Sequence, residues 1–230
     1  MPHDIEAIAE EFFREGCVLI SGILSPEEVT RLRDLTDAAE ENPGIDRKHH
    51  SYAANAFVLR RCHEQHPYFE EMTRHQEIVS LVEAVLRSPV RFNAINVIKN
   101  RTGQAISNWH VDDVVEFPLP PEIPRFDPRM RMPVLWLTVQ VALSDIDSLE
   151  NGPTQFTPGS HYSGRRPPTQ ENPTFEGREA VSMLCKAGDI YLFNHQTWHR
   201  GAPNLSERTR YVMQLQYAVK WADTRFKGVA

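Results

Sequence analysis

Cysteine is scarce in this chain. Cys17, Cys62 and Cys185 are the only three in 230 residues, and no two of them form a C-x-x-C pair. That excludes a disulfide framework and a structural zinc site, and leaves buried, reduced thiols as the expectation. No apolar run approaches the ~20 residues of a membrane span. No block of lysine and arginine stands out in a chain of net charge -6 and pI about 5.9. Membrane and nucleic-acid partners therefore both lack support. The first eleven residues carry several acids and no apolar stretch. They do not read as a signal peptide, so a cytoplasmic location is expected. No internal repeat is visible.

What is present is an ordinary globular composition, 40% hydrophobic and 24% charged, with length enough for one substantial core. A single domain over 1–230 is expected, helical to about 88 and β-rich from about 89 to 222. Ile5, Ile8, Phe12 and Phe13 suit a short amphipathic helix that Gly16 ends. Cys17–Ile20 reads as a strand. Ser25-Pro26-Glu27-Glu28 is a strong helix start: a serine cap, proline at the first helical position, and Glu28 closing a capping box. That helix runs to about Glu40, and Asn42-Pro43-Gly44 stops it. Residues 45–67 are polar and give no clear assignment. Pro67–Arg87 reads as one helix with Ile78, Leu81, Val82 and Val85 inward.

From Val90 the pattern becomes alternating. Strands fit 90–99, 134–143, 153–157, 181–185, 189–194 and 210–219, separated by turn residues. Helices first and many short strands afterwards predict an α+β chain, mainly β, around an antiparallel double sheet. A jelly roll is the closed solution for that many strands. Two proline-rich segments, 118–133 and 167–173, interrupt it, and the first has the length of a lid.

Most of the ten histidines lie outside any ligand spacing; the exception is His110-Val111-Asp112. On an extended segment these two side chains share one face, because a strand repeats every two residues. His199, brought back from a distant strand, completes a two-histidine, one-carboxylate set. Such a set takes one face of an octahedral metal and leaves the rest open, the ligand type of non-heme Fe(II) oxygenases that activate O2. His195 would share a face with His199 and competes with it. His161 is expected to hold a loop, and His49, His50, His63 and His66 to be solvated.

His199 opens the run His199-Arg200-Gly201-Ala202-Pro203-Asn204-Leu205-Ser206, and Arg210 follows His199 by eleven residues. Gly188-Asp189 precedes the hydrophobic strand before it. Asn151-Gly152-Pro153-Thr154 and Pro158-Gly159-Ser160-His161 lie between the two histidine ligands, and Ser25-Pro26-Glu27-Glu28 follows the first strand. In these ordered motifs the chain resembles the phytanoyl-CoA dioxygenase family, a branch of the Fe(II)/2-oxoglutarate oxygenases, over nearly its whole length. The resemblance implies a double-stranded β-helix core of cupin type and Fe(II) held by His110, Asp112 and His199. It also implies 2-oxoglutarate and O2 as cosubstrates. The implied reaction oxidises a C–H bond of a small molecule, with release of succinate and CO2; desaturation and ring formation share the same cycle. Related halogenases lack the carboxylate that Asp112 supplies, so halogenation is not expected.

The cosubstrate's far carboxylate needs a fixed cation, and arginine is always charged and pairs two oxygens at once. Arg210 takes that place, with Arg208 as its rival two residues away. Thr154 offers a hydroxyl to the same carboxylate, or alternatively to the backbone. Gln140, costly to bury without partners, either lines the cosubstrate pocket or hydrogen-bonds within the core. Asn96 has the same two readings. Trp109, Val111, Asp113, Phe117 and Trp198 are the expected substrate neighbours. Two competing classes remain: a cupin-type metalloenzyme independent of 2-oxoglutarate, and a non-catalytic module that kept the barrel. The substrate itself and the oligomeric state carry no legible code.

Overall fold

The computed structural model describes residues 3–52 and 56–222, so 53–55 of the unassigned 45–67 segment lie outside it. Four helices precede or flank the sheets. α1 (Ile5–Glu15) is capped by Asp4, which accepts from the Ala7 N–H at 3.1 Å, and ends at Gly16 in the left-handed region, φ 80°. α2 (Pro26–Glu41) starts with the expected capping box: the Ser25 hydroxyl accepts the Glu28 N–H, and the Glu28 carboxylate accepts the Ser25 N–H. The expected 67–87 helix is two helices, α3 (Pro67–Met72) and α4 (Gln76–Leu86). The break falls at Thr73–His75, where the His75 ring accepts the Ile78 N–H and so caps a new start.

The described residues form ten strands, in chain order β1 (Cys17–Ile20), β2 (Phe57–Arg60), β3 (Val90–Asn100), β4 (Ile106–His110), β5 (Trp136–Ala142), β6 (Thr154–Phe156), β7 (Val181–Ser182), β8 (Ile190–Asn194), β9 (His199–Gly201) and β10 (Arg210–Val219). They form a six-stranded sheet of order β1-β8-β5-β10-β3-β2 and a four-stranded sheet of order β4-β9-β6-β7, with every pairing antiparallel. β2 arises inside the segment that gave no assignment, and β7 is only two residues of the expected 181–185.

Strand alternation sorts the large sheet's two faces. Leu137, Val139 and Val141 of β5, with Met213, Leu215 and Tyr217 of β10, pack under the helices against Phe12, Leu32, Ile78 and Val82. Each such fully buried side chain contributes roughly 1.5–3 kcal/mol. The other face carries Ala142, Tyr191, Phe193 and Val212, packed against Phe156 of the small sheet. Two facing antiparallel sheets with flanking helices make a double-stranded β-helix, as expected. The three cysteines are free and buried.

Candidate active site

The β4–β9 pairing sets His110 opposite His199. β4 ends at His110, so Asp112 is not on the strand as the HxD spacing implied; it lies just beyond, before Asp113 at φ 58°. Its N–H donates to the His195 carbonyl at 2.9 Å, which pins the turn to the end of β8. One ligand atom from each of His110, Asp112 and His199 falls within 4.8 Å of the others.

The protons decide what this cluster can hold. His110 Nδ1 lies 2.7 Å from the Asn108 carbonyl and His199 Nδ1 lies 2.8 Å from the Thr197 carbonyl. A carbonyl only accepts, so both Nδ1 atoms carry hydrogen. Their Nε2 atoms face Asp112 Oδ1 at 3.7 and 3.5 Å. Burial, then the neighbouring His199, lowers the His110 pKa and favours the neutral ring. Burial works to raise the Asp112 carboxyl, but hydrogen bonding and charge from His199, with His110 and His195, hold it below its ordinary value. One nitrogen from each ring and one carboxylate oxygen thus converge in a set that could hold a metal ion.

Arg210 stands at the other end of the same cleft, 5% exposed. It donates from Nη2 to the Thr154 hydroxyl at 2.9 Å, while its Nε is buried without a partner. Among the described residues no carboxylate pairs with it. Thr154 Oγ1 lies 3.1 Å from Gln140 Oε1 and 2.8 Å from the Tyr191 hydroxyl, which itself donates to Gln140. Burial pushes the Tyr191 phenol up to about 12, so it stays a neutral donor. Arg208, by contrast, points outward to Asp147 at 2.6 Å and Asn151 at 2.8 Å. Tyr191 escaped the sequence reading because a tyrosine in a hydrophobic strand looks like core.

A family model, phytanoyl-CoA dioxygenase (PhyH), matches residues 12–212. The chain belongs to the phytanoyl-CoA dioxygenase family. Members of it are Fe(II)/2-oxoglutarate-dependent dioxygenases. Among curated relatives, the dioxygenase cdmD of Talaromyces verruculosus is 23% identical over 215 residues, 84% of this chain and 66% of that one. The chain thus spans about two thirds of that relative's length. Two solved structures share the fold. The epimerase SnoN, in complex with Fe3+, alpha ketoglutarate and nogalamycin RO, superposes with TM-score 0.72 at 22% identity, over 94% of this chain and 83% of that one. The carbocyclase SnoK from nogalamycin biosynthesis gives 0.73 at 20%, over 95% and 87%.

The residues present fit the metal and cosubstrate of the phytanoyl-CoA dioxygenase family. Two imidazoles and one carboxylate suit a divalent ion of borderline hardness. A buried, carboxylate-free arginine with an unpartnered Nε suits a dicarboxylate's far end. The remaining expectations distribute around this cleft. Gln140 lines it, whereas the Asn96 side-chain oxygen accepts the Arg61 N–H and so ties the end of β2. His195 faces away from the triad: its ring stacks on Trp136 at 4.0 Å, and its Nε2 lies 2.9 Å from Glu116. His161 holds the Phe13 carbonyl at 3.0 Å. His50 is buried and accepts the Arg60 N–H, and His66 caps α3, so neither is simply solvated. Trp198 is buried, and Trp109 donates to the Glu171 carbonyl, away from the cleft that His110 lines.

The proline-rich 118–133 segment is strapped down. Arg165 donates to the carbonyls of Pro120, Ile123 and Pro124 at 2.9, 2.6 and 2.8 Å. The Leu119 and Phe126 N–H groups reach the Gly164 and Tyr162 carbonyls. It is held in place by Arg165 and the 162–164 backbone.

Proposed function

We propose that this protein is an Fe(II)- and 2-oxoglutarate-dependent oxygenase that hydroxylates an unactivated C–H bond of a small metabolite, with release of succinate and CO2. The observation that carries the reading is one cleft with two ends: His110, Asp112 and His199 at one, and buried Arg210 without a counter-charge at the other. On this reading the three ligands hold Fe(II), and the carbonyls of Asn108 and Thr197 keep the two rings turned so that Nε2 faces the metal. Arg210 binds the far carboxylate of 2-oxoglutarate, with the Thr154 and Tyr191 hydroxyls beside it and Gln140 orienting both. Bound together, iron, 2-oxoglutarate and O2 supply the oxidising power, and the 2-oxo acid leaves as succinate and CO2. Phe156 and Phe193, both fully buried against the His199 ring, exclude water from behind the metal ligands.

SnoN is described as an epimerase and SnoK as a carbocyclase, and this supports a second reading in which the same oxidation ends in epimerisation or ring closure. The deciding experiment is 2-oxoglutarate turnover over a metabolite panel with product mass. A gain of one oxygen supports hydroxylation, a loss of two hydrogens supports desaturation or ring closure, and an unchanged mass with consumed 2-oxoglutarate supports epimerisation. Anaerobic Fe(II) plus 2-oxoglutarate should give a weak visible charge-transfer band, and Asp112→Ala should abolish both the band and succinate formation. Full turnover by Asp112→Ala would remove Asp112 from the metal.

A further inference from the structure

The large sheet's register shows which residues surround the cleft on its inner face. Cross-strand partners fall in rows. One row runs Tyr191, Gln140, Gln214, Asn96, Arg60; the next, two residues along each strand, runs Phe193, Thr138, Gln216, Ala94. Neighbours within a row stand roughly 5 Å apart and the rows roughly 7 Å apart. Burial splits both rows at the same place. Tyr191, Gln140, Phe193 and Thr138 are buried, whereas Gln214, Asn96, Gln216 and Ala94 are half-buried. The inner face is therefore covered over β8 and β5 and open over β10 and β3. Gln214 belongs both to this open patch and to the lining of the metal cleft.

The chemistry of the patch is unusual for a sheet interior. Three carboxamides surround one alanine. Among the described residues Gln214 and Gln216 have no side-chain hydrogen-bond partner, and Asn96 uses only its oxygen. Arg60 is the single cation on the two rows, and its guanidinium is taken by the carbonyls of His49 and Ser51 at 3.0 and 3.3 Å. An aliphatic chain laid here would strip water from three amides and return no hydrogen bonds, at a cost of roughly 1–3 kcal/mol per group. A carboxylate or phosphate would find no free cation on the patch. Neutral hydroxyl groups can both donate to and accept from each amide.

We infer that Gln214, Gln216 and Asn96 form the substrate-reading surface beside the metal cleft, and that it selects an uncharged, polyhydroxylated molecule over an acyl chain. The inference rests on the proposed oxygenase reading for its placement next to the reacting end of the cleft. The test is ligand-observed NMR on the metal-free protein with two kinds of probe, maltotriose and phenyl β-glucoside against octanoate. It is run in parallel with the anaerobic Fe(II)–2-oxoglutarate band. Wild type should bind the glycosides in preference to octanoate. Gln216→Leu should weaken glycoside binding about ten-fold, the loss of one to two hydrogen bonds, with the band unchanged. Gln216→Ala, which removes the amide without adding apolar bulk, provides a second variant should the leucine prove unstable, and it too should weaken glycoside binding. Preferential binding of octanoate, binding of neither kind, or glycoside binding untouched in both variants overturns the inference. Loss of the band in wild type with glycoside binding intact counts against the cosubstrate reading and leaves the patch standing.

Discussion

Acidification should destabilise this protein through one buried histidine. His161 is 8% exposed, its Nε2 donates to the Phe13 carbonyl at 3.0 Å, and its Nδ1 is buried without a partner. A second proton would have to sit on that Nδ1. Burial, the largest cause, lowers the pKa from 6.5 to about 4, partly offset by the Phe13 hydrogen bond and the charge of Glu15. The unfolded chain takes up this proton first as pH falls. The stabilisation is therefore fully present above 6.5 and is lost progressively toward about 4. At 1.36 kcal/mol per unit, the loss between about pH 7.5 and about pH 5 comes to about 2 kcal/mol. That is a large fraction of a typical stability of about 5–15 kcal/mol. The assay is urea unfolding of the metal-free protein at both pH values, for wild type and His161→Gln. Glutamine can still donate to the Phe13 carbonyl but cannot titrate, and carboxylate titrations common to both proteins cancel. The stability advantage of wild type over the variant should shrink by about 2 kcal/mol at the lower pH. Parallel pH profiles for the two proteins would refute the reasoning.

Other perturbations test other links. Gly188 sits at φ 95°, and a Cβ there would lie 2.4 Å from the Leu24 carbonyl oxygen, a backbone atom that cannot swing aside. Gly188→Ala should cost about 2–4 kcal/mol in thermal or urea unfolding, and a change below about 0.5 kcal/mol would contradict the close approach. Arg210→Ala should weaken 2-oxoglutarate binding at least about thirty-fold, the order of a buried charge-assisted pair, whereas Arg208→Ala, tied to Asp147 at the surface, should leave it within about two-fold. Equal effects in isothermal titration would argue against Arg210 as the anchor. Arg165→Ala removes the donor to four carbonyls of the 118–126 segment, those of Pro120, Pro121, Ile123 and Pro124, so limited proteolysis should open a new site there. An unchanged digestion pattern would show that the backbone contacts of Leu119 and Phe126 suffice.

The parts of the fold visible in sequence are those where local chemistry and tertiary packing agree. Ser25 and Glu28 form the capping box their spacing demands, and β10 occupies 210–219 as its alternation requires. The misreadings fall where a side chain does an uncommon local job. The 67–87 helix breaks because a histidine, not a serine or aspartate, caps the second half. β2 was hidden because its four residues gain order from distant partners: β3 alongside it, and His50 accepting the Arg60 N–H. Arg208 and Arg210 have the same parity, so alternation alone cannot separate them. The strand begins at Arg210, and only the residue inside the ladder has its direction set by the sheet. Asp112 reached His110 and His199 by a turn anchored on the His195 carbonyl, a contact that spacing cannot show.

Charge explains why the two ends of the cleft belong together. Half-buried Arg200 lines the cleft where it donates to Gln155; of the inner charges, one is negative, Asp112 beside His110 and His199, and one is positive, Arg210 at the other end. Both charges are largely removed from water, and no ion pair joins them. Each is costly alone. A divalent cation overcompensates Asp112, and a dianion overcompensates Arg210, so either ligand by itself leaves a net charge buried in the cleft. Together the two ligands cancel each other's excess charge. On the proposed reading, ferrous iron and 2-oxoglutarate therefore bind with positive coupling, each raising the other's affinity by the same factor. The neutral amides of Gln214 and Gln216 beside them suit a substrate that itself carries no charge.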